Sequence, residues 1–236
     1  MQNEMRYTVP NETGNEAAAV LSCMPLFGNS GNLLKRGCSC LLKGETAVAG
    51  RILHSAVFRA MSYSRGTVLW VDGGNVFDPY TMTDLSEKCG SDTEEILSRV
   101  KVARAFTAHQ MNAISLSALE EAKKGEVCFL AVSSLPDLFI SDVRWKEGVQ
   151  LLNSTLKTFR ELTGMHNCWS VMTADCSMPD GAEIDKIFAE NFENVIEVDY
   201  SGGRLEIDSM DDFASVRRWN LHEYQRSLFD FSCRDD

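Results

Sequence analysis

The stretch VLWVDGGNVFDPY, residues 68–80, places a carboxylate, Asp72, directly after an apolar run typical of a buried strand. Strand ends in α/β proteins commonly carry the side chains that act as general acids or bases. Two glycines, Gly73 and Gly74, follow Asp72, and a glycine has no side chain that could move a proton. Asp72 is therefore the only side chain in DGGNVF with the chemistry of a general base.

Serine and histidine supply weaker candidates. Ser133 and Ser134 follow a continuous apolar run, but no histidine and aspartate accompany them in the sequence, so a hydrolase nucleophile is not indicated. His54 and His109 lie near predicted helix starts. We expect core or capping roles for both rather than catalysis.

The eight cysteines are mostly scattered. Only Cys38 and Cys40 form a close pair, and this pair lacks the two-residue spacing of most zinc knuckles. A metal site completed by Cys168 and Cys176 is an alternative. We expect reduced thiols, as in a cytosolic protein, and no metal.

Strand-like apolar runs alternate with helical patterns along the chain. The predicted strands are 38–44, 66–72, 100–106, 126–134 and 168–173, and the predicted helices are 49–61, 91–100, 107–125, 143–162 and 182–192. Capping boxes at Ser91–Glu94 and Thr107–Gln110 mark two of the helix starts. Residues 194–208 read as two alternating strands joined by SGG, which is typical of a hairpin.

These elements predict an α/β fold with a mostly parallel, twisted sheet, helices on both faces and a C-terminal antiparallel hairpin. We expect residues 1–236 to form a single domain, with flexible ends at about 1–15 and 228–236.

The segment from Val68 to Met111 resembles RecA-type recombinases of the RadA class. In that family a strand ending in an acidic residue leads to Asn, Phe and Pro, then a helix, a strand reading VARAF, and His-Gln-Met. The counterparts here are Asp72, Asn75, Phe77, Pro79, residues 102–106 and His109–Met111. The resemblance continues more weakly from Gly37 to Asp208 and implies a RecA-like P-loop NTPase fold. We expect the preceding segment to be too short for the separate helical N-terminal domain of these recombinases.

The resemblance aligns GETAVAGRI, residues 44–52, with the phosphate-binding loop of the family. Gly44, Glu45 and Gly50 agree with the family pattern, but the segment is one residue too long and Thr46 begins its non-glycine middle. Arg51 stands in place of the lysine that reaches phosphate, and Ile52 in place of the hydroxyl that binds Mg²⁺. The resemblance therefore implies a degenerate nucleotide-binding loop.

The catalytic positions of the family are altered as well. Gly74, just before Asn75, takes the place of the glutamate that activates water, and Ser133 that of the metal-associated aspartate. Loss of a general base typically costs about 10²–10⁴ in rate. We expect a pseudo-ATPase with no catalytic residue and no magnesium.

Two mobile loops contact DNA in the family. The first corresponds to residues 135–148, where Arg144, Trp145 and Lys146 could contact DNA or a partner. We expect instead that Trp145 lies on the buried face of its helix. The second, ADCSMPDG, is acidic, and the short basic run at 217–219 resembles a solvated helix face.

Composition limits the function classes further. The formal net charge of −11 disfavours general nucleic-acid binding. No run reaches the roughly 20 apolar residues that span a membrane, and the N-terminus lacks signal-peptide features, so we expect a cytoplasmic protein.

Two hypotheses remain. The first is a catalytically inactive RecA-like protein that works in DNA recombination or repair through protein binding, with an active recombinase or another copy of itself as partner. The alternative is a nucleotide sensor or weak ATPase that binds ATP or ADP with Arg51 on phosphate.

Overall fold

The computed structural model describes residues 34–175, 182–201, 204–211 and 215–221, so both predicted flexible ends lie outside the described residues. The strands within these ranges are Ser39–Gly44 (β1), Thr67–Asp72 (β2), Val100–Arg104 (β3), Val127–Ser133 (β4), Trp169–Asp175 (β5), Asn194–Ser201 (β6), Arg204–Asp211 (β7) and Ser215–Leu221 (β8). The helices are Thr46–Tyr63 (α1), Pro79–Lys88 (α2), Thr93–Ser98 (α3), Ala108–Ala122 (α4), Asp137–Ser141 (α5), Trp145–His166 (α6) and Ala182–Asn191 (α7).

The strands form one sheet in the order β3-β2-β4-β5-β1-β6-β7-β8. All neighbours from β3 to β6 are parallel, whereas β7 and β8 are added in antiparallel fashion. The predicted mostly parallel sheet with a C-terminal hairpin is therefore confirmed. β4 lies inside the parallel part and all seven of its residues are buried, as its continuous apolar run predicts.

Helices cover both faces of the sheet. Leu41 and Leu42, which are adjacent in β1, belong to two separate apolar cores, because successive strand side chains point to opposite faces. One core contains Ile52 of α1, and the other contains Leu156 of α6. The central strands β1, β2, β4 and β5 are thus buried between two helical layers.

Helix starts differ from the predictions at α1, α3 and α6, the last of which begins at Trp145 rather than at residue 143. α1 begins at Thr46, three residues before the predicted start. α3 is capped by Asp92 rather than Ser91, since the Asp92 carboxylate accepts the backbone N–H groups of Glu94 and Glu95. The predicted cap of α4 is confirmed, because the Thr107 hydroxyl accepts the N–H of Gln110.

The C-terminal part holds one strand that the sequence pattern did not predict. Residues 217–219, predicted to lie on a helix, belong to β8, which pairs with β7. An exposed strand edge favours addition of a further strand, because its backbone N–H and C=O groups gain partners. Within the described residues no helix has the length and apolar character needed to cross a membrane.

Candidate functional site

The carboxyl ends of the parallel strands bring the predicted site residues to one edge of the sheet, here called the carboxyl edge. The register pairs Gly44 at the end of β1 with Asp175 at the end of β5. It also pairs Asp72 at the end of β2 with Ser133 at the end of β4. Four strand ends therefore determine the chemistry of this edge.

The connection from β1 to α1 is a single residue. β1 ends at Gly44, α1 begins at Thr46, and exposed Glu45 stands between them without capping the helix through its side chain. The cap comes from β5, because the Thr46 N–H and hydroxyl donate to Asp175 Oδ2 at 3.2 and 2.6 Å. A carboxylate is favourable there because free N–H groups and the helix dipole give this end positive character.

The connection from β1 to α1 does not form a loop that wraps around an anion. A loop whose N–H groups converge on an anion uses residues with positive φ, for which glycine is suited. No residue from 44 to 52 has a positive φ. Val48 and Ala49 are buried in the first turn of α1, so apolar burial favours the helix here.

Gly50, Arg51 and Ile52 lie within α1 rather than in a loop. A Cβ at Gly50 would lie 2.6 Å from Val76 Cγ1, so this glycine allows α1 to pack closely against the loop after β2. Ile52 is buried in the core between α1 and the sheet, and Arg51 is half-buried.

Asp72 is fully buried, and its carboxylate is occupied by neighbouring donors. Oδ1 accepts the Ser133 hydroxyl at 2.6 Å and the Val76 N–H at 2.9 Å. Oδ2 accepts the Phe77 N–H at 3.1 Å and lies 3.5 Å from Arg104 Nε. These contacts fix the position of the loop after β2. The Ser133 hydroxyl contributes by donating to Asp72.

The two glycines after Asp72 have a packing role. A Cβ at Gly74 would lie 2.2 Å from Ser134 Oγ, and one at Gly73 would lie 2.8 Å from the Ser133 carbonyl oxygen. The Gly73 N–H donates to that carbonyl at 2.9 Å. Asn75 and Ser134 both have positive φ, 53° and 51°. Glycine therefore permits the loop after β2 to lie directly on the end of β4.

A second carboxyl lies near Asp175. Burial and the negative charge of Asp175 raise the pKa of Asp137, the first residue of α5, to about 6. Asp175 itself is held by the donors of Thr46. The carboxyl edge thus places negative charge, rather than a cation, beside the N-terminus of α1.

The segment predicted as the first DNA-contacting loop is folded. It consists of α5, a short connection and the first turn of α6. A Cβ at buried Gly148 would lie 1.9 Å from the Phe139 carbonyl oxygen, so the two helices are in close contact. The expectation for Trp145 is wrong, since Trp145 is 45% exposed between exposed Arg144 and Lys146. The packed face of α6 begins only at Gly148, so the core does not cover the tryptophan.

Two further contacts tie this segment to α4. The Asp142 carboxylate accepts the Ala108 N–H at 3.0 Å and so caps α4 from a distance. His109 Nε2 lies 3.2 Å from a Glu147 carboxylate oxygen, and both side chains are exposed. The predicted capping or core role of His109 is therefore replaced by a surface contact at the start of α4.

His54 lies in the core, as predicted, in the third turn of α1. Its Nδ1 lies 2.7 Å from the Gly50 carbonyl oxygen, and its Nε2 accepts the Asp78 N–H at 3.0 Å. The ring packs against Trp70 and Phe77. Burial lowers the pKa of His54, and these bonds suit the neutral ring.

The cysteines show no metal arrangement in the described ranges. No three His, Cys, Asp or Glu side chains group there as metal ligands would. Cys40 and Cys168 are buried, and burial raises the pKa of both thiols. Cys176 and the second predicted DNA-contacting loop beyond Asp175 lie outside the described residues.

Sequence reasoning missed the two carboxylates that cap distant helices, Asp175 and Asp142. Each caps a helix far away in sequence, so no local capping pattern identifies them. For Asp175 the available signal was an acidic residue at a parallel strand end, but its use required knowledge that β5 neighbours β1. No such signal marks Asp142, which follows α5.

Comparisons with known proteins place these observations in a family context. A family model described as Rad51 matches residues 44–196, from the end of β1 into β6. A curated relative, the meiotic recombination protein DMC1/LIM15 homolog of Mus musculus, is 27% identical over 126 residues. The matched region is 51% of this chain and 37% of the mouse protein, so the chain spans little more than a third of that relative.

Proposed function

Because this chain belongs to the Rad51 family, we propose that it acts in DNA recombination or repair as a non-hydrolysing accessory protein that works by binding other proteins. The mouse relative is by its name a meiotic recombination protein, which supports the process. An active recombinase, or another copy of this chain, is the proposed partner.

One observation carries the non-hydrolysing part of the proposal. The N-terminus of α1, to which the family resemblance assigns the phosphates, already receives the carboxylate of Asp175. A phosphate would have to displace this carboxylate and would meet the negative charges of Asp175 and Asp137. The anion position of the helix is thus satisfied from within the chain.

The positions for metal and base support the same proposal. Buried Ile52 offers no oxygen ligand, and the Ser133 hydroxyl donates to Asp72. Both oxygens of Asp72 accept backbone N–H groups, so this carboxylate is poorly placed to take a proton from water. The residues present do not fit a magnesium-bound triphosphate, and no hydrolytic step is assigned to them.

The folded segment around α5 favours protein binding over a DNA-contacting loop. Its two helices are packed against each other, and Asp142 between them accepts an N–H of α4. A mobile loop that rearranges on DNA would have to break these contacts. Exposed Arg144, Trp145 and Lys146 are retained in this proposal as a contact for a partner or for DNA.

ATP turnover by the purified protein tests the proposal. We expect no magnesium-dependent release of phosphate above a no-protein blank, and an Arg51→Ala variant should behave identically. Turnover that disappears in Arg51→Ala would contradict the proposal and establish the weak ATPase. The partner is tested separately by chromatography with light scattering of this chain, alone and mixed with an active Rad51-family recombinase. Elution of this chain as a monomer in both samples, apart from the recombinase, would contradict protein binding.

A further inference from the structure

The opposite end of the sheet, here called the amino edge, carries a group of basic residues that the candidate site does not use. The turn before β1 contributes Lys35 and Arg36, both exposed. This turn is held to the start of β5, because the Gly37 N–H donates to the Cys168 carbonyl at 2.8 Å. Arg36 thereby stacks on Trp169, with its guanidinium carbon 4.1 Å from the ring centroid.

A second turn, between α1 and β2, adds cations beside the first. Arg65 and Tyr63 are exposed there, Tyr63 by 62%. Arg59 lies 5.7 Å from the Tyr63 ring centroid and donates to its hydroxyl. Arg99, at the start of β3, donates to the carbonyl groups of Ser64 and Gly66.

The two turns flank the start of β4, so their cations form one surface. The sheet order β2-β4-β5 places β4 between them. Cys128 of β4 donates its thiol to the Gly66 carbonyl at 3.2 Å. Burial raises the pKa of Cys128, and the charges of both Arg99 and Arg36 oppose this rise. We call Lys35, Arg36, Arg59, Arg65 and Arg99 the basic strip.

The positive charge of the basic strip contrasts with the negative charge of the chain as a whole. The formal net charge is −11. Carboxylates also lie at this edge, among them Glu95 beside Arg99, Glu126 directly before β4, and Glu193. Glu193 is also engaged with Arg160 and with the Ser39 N–H. Within the described residues no ion pair involves the exposed Lys35, Arg36 or Arg65.

We propose that the basic strip is a docking surface for an acidic segment of a protein partner, with carboxylates on Lys35, Arg36 and Arg65 and apolar contact on Tyr63 and Trp169. Arginine matches carboxylates through paired donors, and arginine stacked on an aromatic ring presents its fork already oriented. The strip lies at the opposite edge from Asp175 and Asp72, so this docking does not depend on the absence of hydrolysis proposed above.

Charge favours a short acidic segment over a nucleic acid. A nucleic acid carries uniform negative charge and would extend past the strip onto the acidic remainder of the chain, which repels it. A peptide with a few carboxylates can end where the strip ends. The shared feature of both ligands is negative charge, so the experiment must separate them.

The test is a fluorescence anisotropy titration with two probes, a fluorescein-labelled twelve-residue peptide of Asp, Glu and Phe, and labelled oligo(dT). The variant Arg36→Ala/Arg65→Ala removes two cations of the strip. Its matched control, Lys157→Ala/Lys186→Ala, removes two exposed cations that lie within α6 and α7. Circular dichroism and thermal unfolding verify that both variants are folded.

We expect the peptide to bind the unaltered chain and to bind about five- to tenfold more weakly to the strip variant, because each exposed contact contributes modestly. The control should retain the affinity. Equal weakening in both variants, or no binding by the unaltered chain, would overturn the proposal. Tighter binding of oligo(dT) that is lost in the strip variant would overturn it in favour of nucleic acid. A failure of this test leaves the ATP turnover result unaffected.

Discussion

At the scale of single residues, carboxylates at two strand ends hold backbone amide groups. Asp72 accepts N–H groups of the loop after β2, and Asp175 accepts the first N–H of α1. Charged acceptors form stronger hydrogen bonds than neutral ones, and their loss leaves buried donors unsatisfied. Both residues therefore contribute to folding at positions where an α/β enzyme would keep a carboxylate available for chemistry.

Gly74 gives a residue-scale prediction. Gly74→Ala should lower the free energy of unfolding by about 1–3 kcal/mol, because the new Cβ would overlap Ser134 Oγ. In Ser134→Gly that atom is absent, and glycine also suits the φ of 51° at this position. Urea unfolding of both single variants and the double variant should show that Ser134→Gly recovers much of the loss. Strictly additive effects would contradict the close contact.

Asp137 gives a prediction that depends on pH. Its pKa is about 6 in the folded chain, above the ordinary value of 3.8, so the folded state binds the proton more tightly than the unfolded state. Its contribution to stability is therefore full below about pH 4 and is lost as the pH rises through 6. Asp137→Asn should stabilise the chain at pH 7.5 by about 1 kcal/mol, after allowance for solvent screening, and by little at pH 4.

Thermal unfolding at both pH values measures this difference. Glu161→Gln, which neutralises an exposed carboxylate on α6, is the matched control and should show little change at either pH. A gain for Asp137→Asn of equal size at pH 4 and 7.5 would show that the charge of Asp137 is not its cause.

At the scale of elements, α1 is held at both ends by side chains from distant parts of the chain. Asp175 caps its N-terminus, and Arg99 donates to the carbonyl group of Met61 in its last turn and to those of Ser64 and Gly66 beyond it. α1 thus runs from the carboxyl end of β1 to the amino end of β2, and its position is fixed at both edges of the sheet. This arrangement explains how α1 remains regular although its N-cap residue, Glu45, makes no capping bond.

Arg99 supplies the prediction at this scale. Its side chain is only 15% exposed, and Arg99→Ala would remove its hydrogen bonds to the carbonyl groups of Met61, Ser64 and Gly66. We expect a loss of about 2–4 kcal/mol in the free energy of unfolding in urea. Arg99→Lys should recover only part of it, because an ammonium group cannot match the planar fork. Arg65→Ala, in the adjacent exposed turn, should cost below about 0.5 kcal/mol. Similar losses for Arg65→Ala and Arg99→Ala would contradict this role.

Much of the element pattern could be predicted because burial imposes a period on the sequence. The continuous apolar run of β4 is visible in the sequence, and all seven of its residues are buried. Trp145 was predicted wrongly, because periodicity does not reveal where the core stops covering a helix. β8 was missed because pairing with the edge of β7 depends on strand order.

At the scale of the whole molecule, the resemblance to RecA-type recombinases is confirmed by the Rad51 family match. The assignment of Arg51, Ile52, Gly74 and Ser133 to site positions of the family rests on a pattern that is local in the chain, and it stays a prediction. The use of Asp175 and Asp72 as structural acceptors could not be predicted, since it arises from contacts between strand ends that are far apart in sequence. The single-domain organisation over residues 1–236 stays a prediction.

The two edges of the sheet, at opposite ends of its strands, differ in charge. The carboxyl edge places Asp137 and Asp175 beside the N-terminus of α1, whereas the amino edge carries the basic strip. This chain should contact an acidic partner through the amino edge, whereas the carboxyl edge disfavours anions. Raising the salt concentration should weaken binding at the strip, because exposed charges are screened.

Thermal unfolding with nucleotide tests the central claim most directly. The melting temperature of the chain is measured alone, with magnesium and ATP, and with magnesium and ADP, each nucleotide at millimolar concentration. A ligand present at 100 times its dissociation constant stabilises the folded state by about 2.7 kcal/mol, which is readily detected. We predict no shift with either nucleotide. A magnesium-dependent rise in the melting temperature that is lost in Arg51→Ala would contradict the account.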